Sequence, residues 1–128
     1  MAGIEITRDI SAPATAVWAL LTDTRQWPRW GPSVAEVRCS ERNIRGGSRG
    51  AVRTPLGVWL TFTVTAFEPG RSWAWKVAGV PATGHRVEPQ GRGRCRLVFI
   101  VPLWAAPYAA VCRLAAGRIA RLAERAKR

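Results

Sequence analysis

The chain has 128 residues, enough for one domain with a buried core and too few for a two-domain enzyme, so residues 1–128 are read as a single domain. With 48% hydrophobic and 22% charged residues and scattered Gly and Pro, it is neither disordered nor collagen-like. Twenty Lys+Arg against eight Asp+Glu give a formal charge of +12, which raises nucleic acid, anionic membranes and acidic ligands as partners.

Eighteen of the twenty cations are Arg, however, and they run from Arg8 to Arg128 without forming one dense block. No apolar run approaches the roughly 18 residues of a membrane span, and Met1 to Thr7 lacks the basic-then-apolar layout of a secretory signal, so a cytoplasmic location is expected. Cys39, Cys95 and Cys112 are odd in number, far apart and form no CxxC. Neither a disulfide framework nor a metal site is expected.

Ile4, Ile6 and Ile10 alternate with polar residues and predict a half-buried strand, with Arg8 breaking the apolar row. An inward Arg8 would need a carboxylate or an anionic ligand, whereas a bulge would turn it to solvent. Ser11-Ala12-Pro13 then predicts a helix start, and Val17, Trp18, Leu20 and Leu21 its apolar face. Asp23 and Thr24 are placed to cap a second short helix through Trp27, stopped by Pro28 and Gly31-Pro32.

From Val34 to Val101, short alternating runs between turn residues predict a meander of six more strands, at about 34–42, 48–54, 57–68, 71–79, 83–89 and 94–101. The predicted turns include Gly46-Gly47, Pro55-Leu56-Gly57, Glu68-Pro69-Gly70 and Gly79-Val80-Pro81. After Pro102, Trp104, Tyr108, Val111, Ala115, Ile119 and Leu122 recur at helical steps and predict a long amphipathic helix, with Pro107 in its first turn or kinking its start. The opposite face carries Arg113, Arg118, Arg121, Arg125, Lys127 and Arg128.

An antiparallel sheet beside one long helix must curl to bury the helix stripe, and such a curl often leaves a cavity. This order resembles the helix-grip proteins of the SRPBCC, or START-like, superfamily. The strings Ile10-Ser11-Ala12-Pro13, Val17-Trp18, Leu21-Thr22-Asp23, Trp27-Pro28-Arg29-Trp30-Gly31-Pro32 and Phe67-Glu68-Pro69-Gly70-Arg71-Ser72-Trp73 point to its polyketide cyclase/dehydrase-like branch. The resemblance implies an α+β fold in which a curved seven-stranded antiparallel sheet wraps a long C-terminal helix, with two short helices between strands 1 and 2. It also implies a cavity for lipid- or polyketide-like molecules, without implying a catalytic residue or a cofactor.

Seven Trp supply large, rigid apolar walls. Trp18 and Trp27 are read as structural, holding the short helices to the sheet. Trp30, Trp59, Phe62, Trp73, Trp75, Phe99, Trp104, Val111 and Cys112 are the candidate ligand contacts, although parity alone leaves open which face of the strand carrying Trp59 and Phe62 looks inward. His85, the single histidine, and Tyr108, the single tyrosine, are the candidate catalytic residues, the first for its near-neutral ordinary pKa and the second for its place on the helix stripe.

Binding of a largely hydrophobic small molecule is therefore expected, with a polyketide cyclase, aromatase or dehydrase acting in the same cavity as the alternative. Weak association with an anionic membrane through the basic C-terminal helix is the secondary partner reading. Nucleic-acid binding is not expected, because the chain carries no helix-turn-helix, zinc finger or RNP-type motif. A monomer or homodimer is consistent with the sequence.

Overall fold

The computed structural model describes residues 3–126. Strand β1 (Gly3–Ile10) leads into helices α1 (Ala14–Thr22) and α2 (Trp27–Trp30). Strands β2 (Glu36–Cys39), β3 (Arg49–Arg53), β4 (Trp59–Glu68), β5 (Ser72–Val77), β6 (Val80–Pro89) and β7 (Cys95–Pro102) follow, then a 3-10 helix (Leu103–Tyr108) and helix α3 (Ala109–Ala126). All neighbouring strands are antiparallel in the order β1-β7-β6-β5-β4-β3-β2, so the first strand closes against the last. This is the helix-grip arrangement, with α3 packed against β1 and β7.

Two irregularities curl the sheet. The β4–β5 register shifts between Val64 and Ala66, and the β5–β6 register shifts beside Trp75, between Ala74 and Lys76. Each leaves one extra residue in a strand, which bends and twists it locally. The first also resets the alternation of β4, so that Phe62, Val64 and then Phe67 point to the same side, with Phe67 against Trp18 at 5.6 Å between ring centroids. Gly50, opposite Phe62, makes room for this packing: a Cβ there would lie 2.4 Å from the Arg38 carbonyl oxygen and 2.9 Å from the Phe62 ring.

The short helices are fastened by indoles. The last carbonyls of an α-helix have no partner within it, and here Trp27 Nε1 donates to the Leu21 carbonyl at 2.9 Å and Trp30 Nε1 to that of Leu20 at 2.8 Å. Pro28 lies in the first turn of α2, where its missing N–H costs nothing. It helps to start this helix, contrary to the expected role as its stop.

Two other expectations shift and a third is met. The turn after β5 is Ala78-Gly79, both at positive φ (54° and 77°), as a two-residue hairpin requires, and Val80 and Pro81 already belong to β6. The long C-terminal helix is kinked at its start, one of the two expected places for Pro107, which sits in a 3-10 segment whose Ala105 (φ −108°, ψ 26°) is non-helical. Arg8 is exposed although β1 pairs with β7 without a bulge. On an edge strand a long side chain can carry its guanidinium to water, so neither the bulge nor a buried partner is needed.

Candidate functional site

Between the sheet and α3 lies a cavity of about 480 Å³, within the range that holds small organic ligands. Its inner wall is built by alternation: Trp73, Trp75 and Val77 on β5, Thr83 and His85 on β6, Phe99 on β7, and Val52 and Leu60 at the β3–β4 end. Val111, Cys112 and Ala115 of α3 form the roof, and Trp27 and Trp30 come from α2. The mouth lies where Gly31–Val34, Thr54, Ala82 and the 3-10 helix meet, with Trp104 lining the cavity while 66% exposed.

Of the expected ligand contacts, Trp30, Trp73, Trp75, Phe99, Trp104, Val111 and Cys112 line this space, as do His85 and Tyr108. Two residues require correction. Leu60 of β4 faces the cavity, so neighbouring Trp59 points away from it and carries Arg38 4.3 Å above its ring. Phe62 points inward but is buried against Trp27 and Trp75 at 5.4 and 5.5 Å and lies behind the lining. Trp27 serves as wall as well as structural anchor, which its position on a short helix did not reveal. Thr83 and Ser33 are polar members of the lining that only their neighbours' geometry makes visible.

The aromatic side chains form one connected stack. Trp27 lies parallel to Trp73 at 5.6 Å, and the His85 ring lies on Trp73 at 3.9 Å. Trp75 meets Trp73 edge-on at 5.4 Å, and Trp30 stacks on Phe99 at 6.1 Å.

Through this stack runs a short polar chain. The Trp75 indole N–H donates to Thr83 Oγ1 at 3.1 Å. Thr83 then has one hydroxyl proton to give, and His85 Nε2, 3.2 Å away, accepts it. The remaining ring proton of His85 sits on Nδ1 and is donated to the Trp73 carbonyl at 3.2 Å. These bonds assign one neutral tautomer and occupy both nitrogens.

Burial lowers the His85 pKa to about 3, with the Trp73 carbonyl opposing the shift. At neutral pH this histidine has no proton to release as an acid and no free lone pair to act as a base. Tyr108 sits nearer the mouth, its hydroxyl bonded to that of Ser33. Burial raises its pKa above the ordinary tyrosine value, and the Ser33 bond opposes the shift. Cys112 is pushed up to about 11 by burial, so it remains a thiol.

No Asp, Glu, Lys or Arg belongs to the lining among the described residues. They also hold no cluster of His, Cys, Asp and Glu able to bind a metal ion. Trp73 Nε1 is the one buried side-chain nitrogen or oxygen among them without a hydrogen-bond partner, a state that costs about 1–3 kcal/mol.

A curved sheet thus grips a helix over an apolar cavity whose lining carries no charged side chain among the described residues. The chain belongs to the family described as polyketide cyclase / dehydrase and lipid transport, whose model matches residues 1–128. Its fold is similar to that of the ZhuI aromatase/cyclase from Streptomyces sp. R1128 (19% identity, 99% of this chain and 96% of that one, TM-score 0.75). It is also similar to protein MLL2253 from Mesorhizobium loti (14% identity, 97% and 98%, TM-score 0.76). DynU16, from the dynemicin biosynthetic locus, matches at 22% identity over 94% of this chain and 46% of its own length, TM-score 0.70. No curated protein matches the chain in sequence.

Proposed function

We propose that the protein binds a neutral, largely apolar molecule, preferably aromatic, in the cavity between the sheet and α3. The observation that carries this reading is a cavity wall without a formal charge in a protein of net charge +12. An anion or cation drawn inside would exchange its hydration for carbon and pay the large cost of an unpaired buried charge. A flat neutral ring system instead buries its surface against Trp30, Phe99 and Trp75 at about 25 cal/mol per Å². A carbonyl or hydroxyl oxygen that reaches Trp73 would recover the bond its Nε1 lacks.

Binding is favoured over proton-transfer catalysis because both His85 nitrogens are bonded and Tyr108 and Cys112 hold their protons. The cyclase-type alternative would rest on the Tyr108–Ser33 hydroxyl pair near the mouth, acting as a hydrogen-bond donor to a carbonyl.

Two dyes with a common skeleton test the charge rule. N-phenyl-1-naphthylamine is neutral, and 8-anilino-1-naphthalenesulfonate adds one sulfonate. In fluorescence titrations at enough salt to screen the +12 surface, the neutral dye is expected to bind at one site and the sulfonate at least about tenfold more weakly. Equal affinity for both, or preference for the sulfonate, would sink the reading.

A further inference from the structure

Among the described residues, five of the six exposed large apolar side chains fall on three chain connections, and the sixth, Leu114, is on α3. Leu56 (92% exposed) and Val58 lie in the β3–β4 turn, Val80 at the β5–β6 turn, and Leu103 and Trp104 at the start of the 3-10 helix. All three connections lie at the same end of the sheet, where β3, β5 and β7 end. The cavity reaches this end too, since Thr54, Val77, Ala82, Pro102 and Trp104, which stand at the ends of these strands or in the connections, belong to its lining.

We propose that this rim docks on an anionic lipid bilayer, placing the mouth against the membrane so that a neutral apolar ligand enters or leaves without crossing water. The proposal rests on the cavity reading above and adds the source of the ligand. Separate apolar tips on three connections suit a fluid interface, into which each can sink independently, and a Trp among them suits the headgroup level.

Charge selects the bilayer over a second copy of the chain. In the segments that carry the rim, Arg53 is paired with Glu36 at 3.2 Å, and exposed Lys76 has no ion pair among the described residues. No unpaired acid stands in these segments, so the rim is at most weakly positive on a molecule of charge +12. Two such molecules repel, whereas an anionic leaflet attracts them.

Apart from Arg113, which is in the second turn of α3, the basic face of that helix lies elsewhere. The helix starts beside the mouth and ends at the far side of the sheet, where Glu124 accepts from the Ser11 backbone N–H at 2.9 Å. Arg118, Arg121 and Arg125 thus sit toward the end remote from the opening, while Lys127 and Arg128 lie outside the described residues. A membrane held by that face alone would leave the mouth in water.

The test is co-sedimentation with phosphatidylcholine vesicles containing phosphatidylglycerol, comparing the full chain with the double variant Leu56→Asp/Leu103→Asp and the triple variant Arg118→Gln/Arg121→Gln/Arg125→Gln. Neither Leu56 nor Leu103 lines the cavity, so uptake of N-phenyl-1-naphthylamine in solution reports separately on the cavity reading. The rim variant is expected to lose vesicle affinity by about tenfold or more with dye uptake intact, and the helix variant to lose less. A wild-type protein that ignores the vesicles, a rim variant that binds as well as wild type, or a larger loss in the helix variant would each overturn the docking proposal. So would a wild-type dimer in sedimentation velocity that the rim variant reduces to a monomer, which would assign the rim to a second copy. Failure of the wild type to take up the dye would overturn the cavity reading instead.

Discussion

Replacing Val111 by Trp is expected to abolish binding of N-phenyl-1-naphthylamine, weakening it by about 100-fold or more, or ~3 kcal/mol. Val111 is half-buried on α3 and lines the cavity, so the larger side chain at this position enters the space the ligand would use. Filling an existing void differs from overpacking a dense core, and Trp and Val have similar helix propensities. Stability should therefore change by only about 1 kcal/mol. Dye titration beside a thermal unfolding curve separates the two effects. Unimpaired dye binding in a folded Val111→Trp protein would place the dye elsewhere.

Acidification is expected to destabilise the protein through His85. In the unfolded chain the imidazole takes up a proton near its ordinary pKa of 6.5, while in the folded protein it resists until about pH 3. Between these values the unfolded state binds more protons, so stability falls as pH falls. The loss from this one group is about 2 kcal/mol between pH 7 and 5, and about 3 kcal/mol by pH 4. His85→Gln can keep a side-chain donor and acceptor in the polar chain without a titrating group, and its stability should lack this part of the pH dependence. Urea unfolding of both proteins at pH 7, 5 and 4 measures the difference. Parallel curves would show that His85 is not held neutral in the folded state.

The strand and helix order was legible because period-two alternation and turn residues mark each strand from Val34 onward. Strand ends were less legible: 34–42 shortens to Glu36–Cys39 because an edge strand ends where its one partner does. The candidate wall was readable where alternation is regular, as at Trp73, Trp75, His85 and Phe99. At Trp59 and Phe62 alternation identifies two faces without saying which is inside, and only the pairing of Leu60 with Val52 decides it. The polar chain from Trp75 through Thr83 to His85 crosses two strands at a register shift, so no local pattern announces it. His85 attracts attention in the sequence as a proton carrier. Its surroundings make it a neutral wall of the cavity.

The most direct test of the neutral-ligand cavity is a crystal structure of the protein with N-phenyl-1-naphthylamine bound. The expected result is the dye between α3 and the sheet, against Val111 and Ala115 on one side and Trp30, Trp75 and Phe99 on the other. A dye ordered instead on the outer face, for example beside Trp59 and Arg38, with the cavity left to water, would contradict the account.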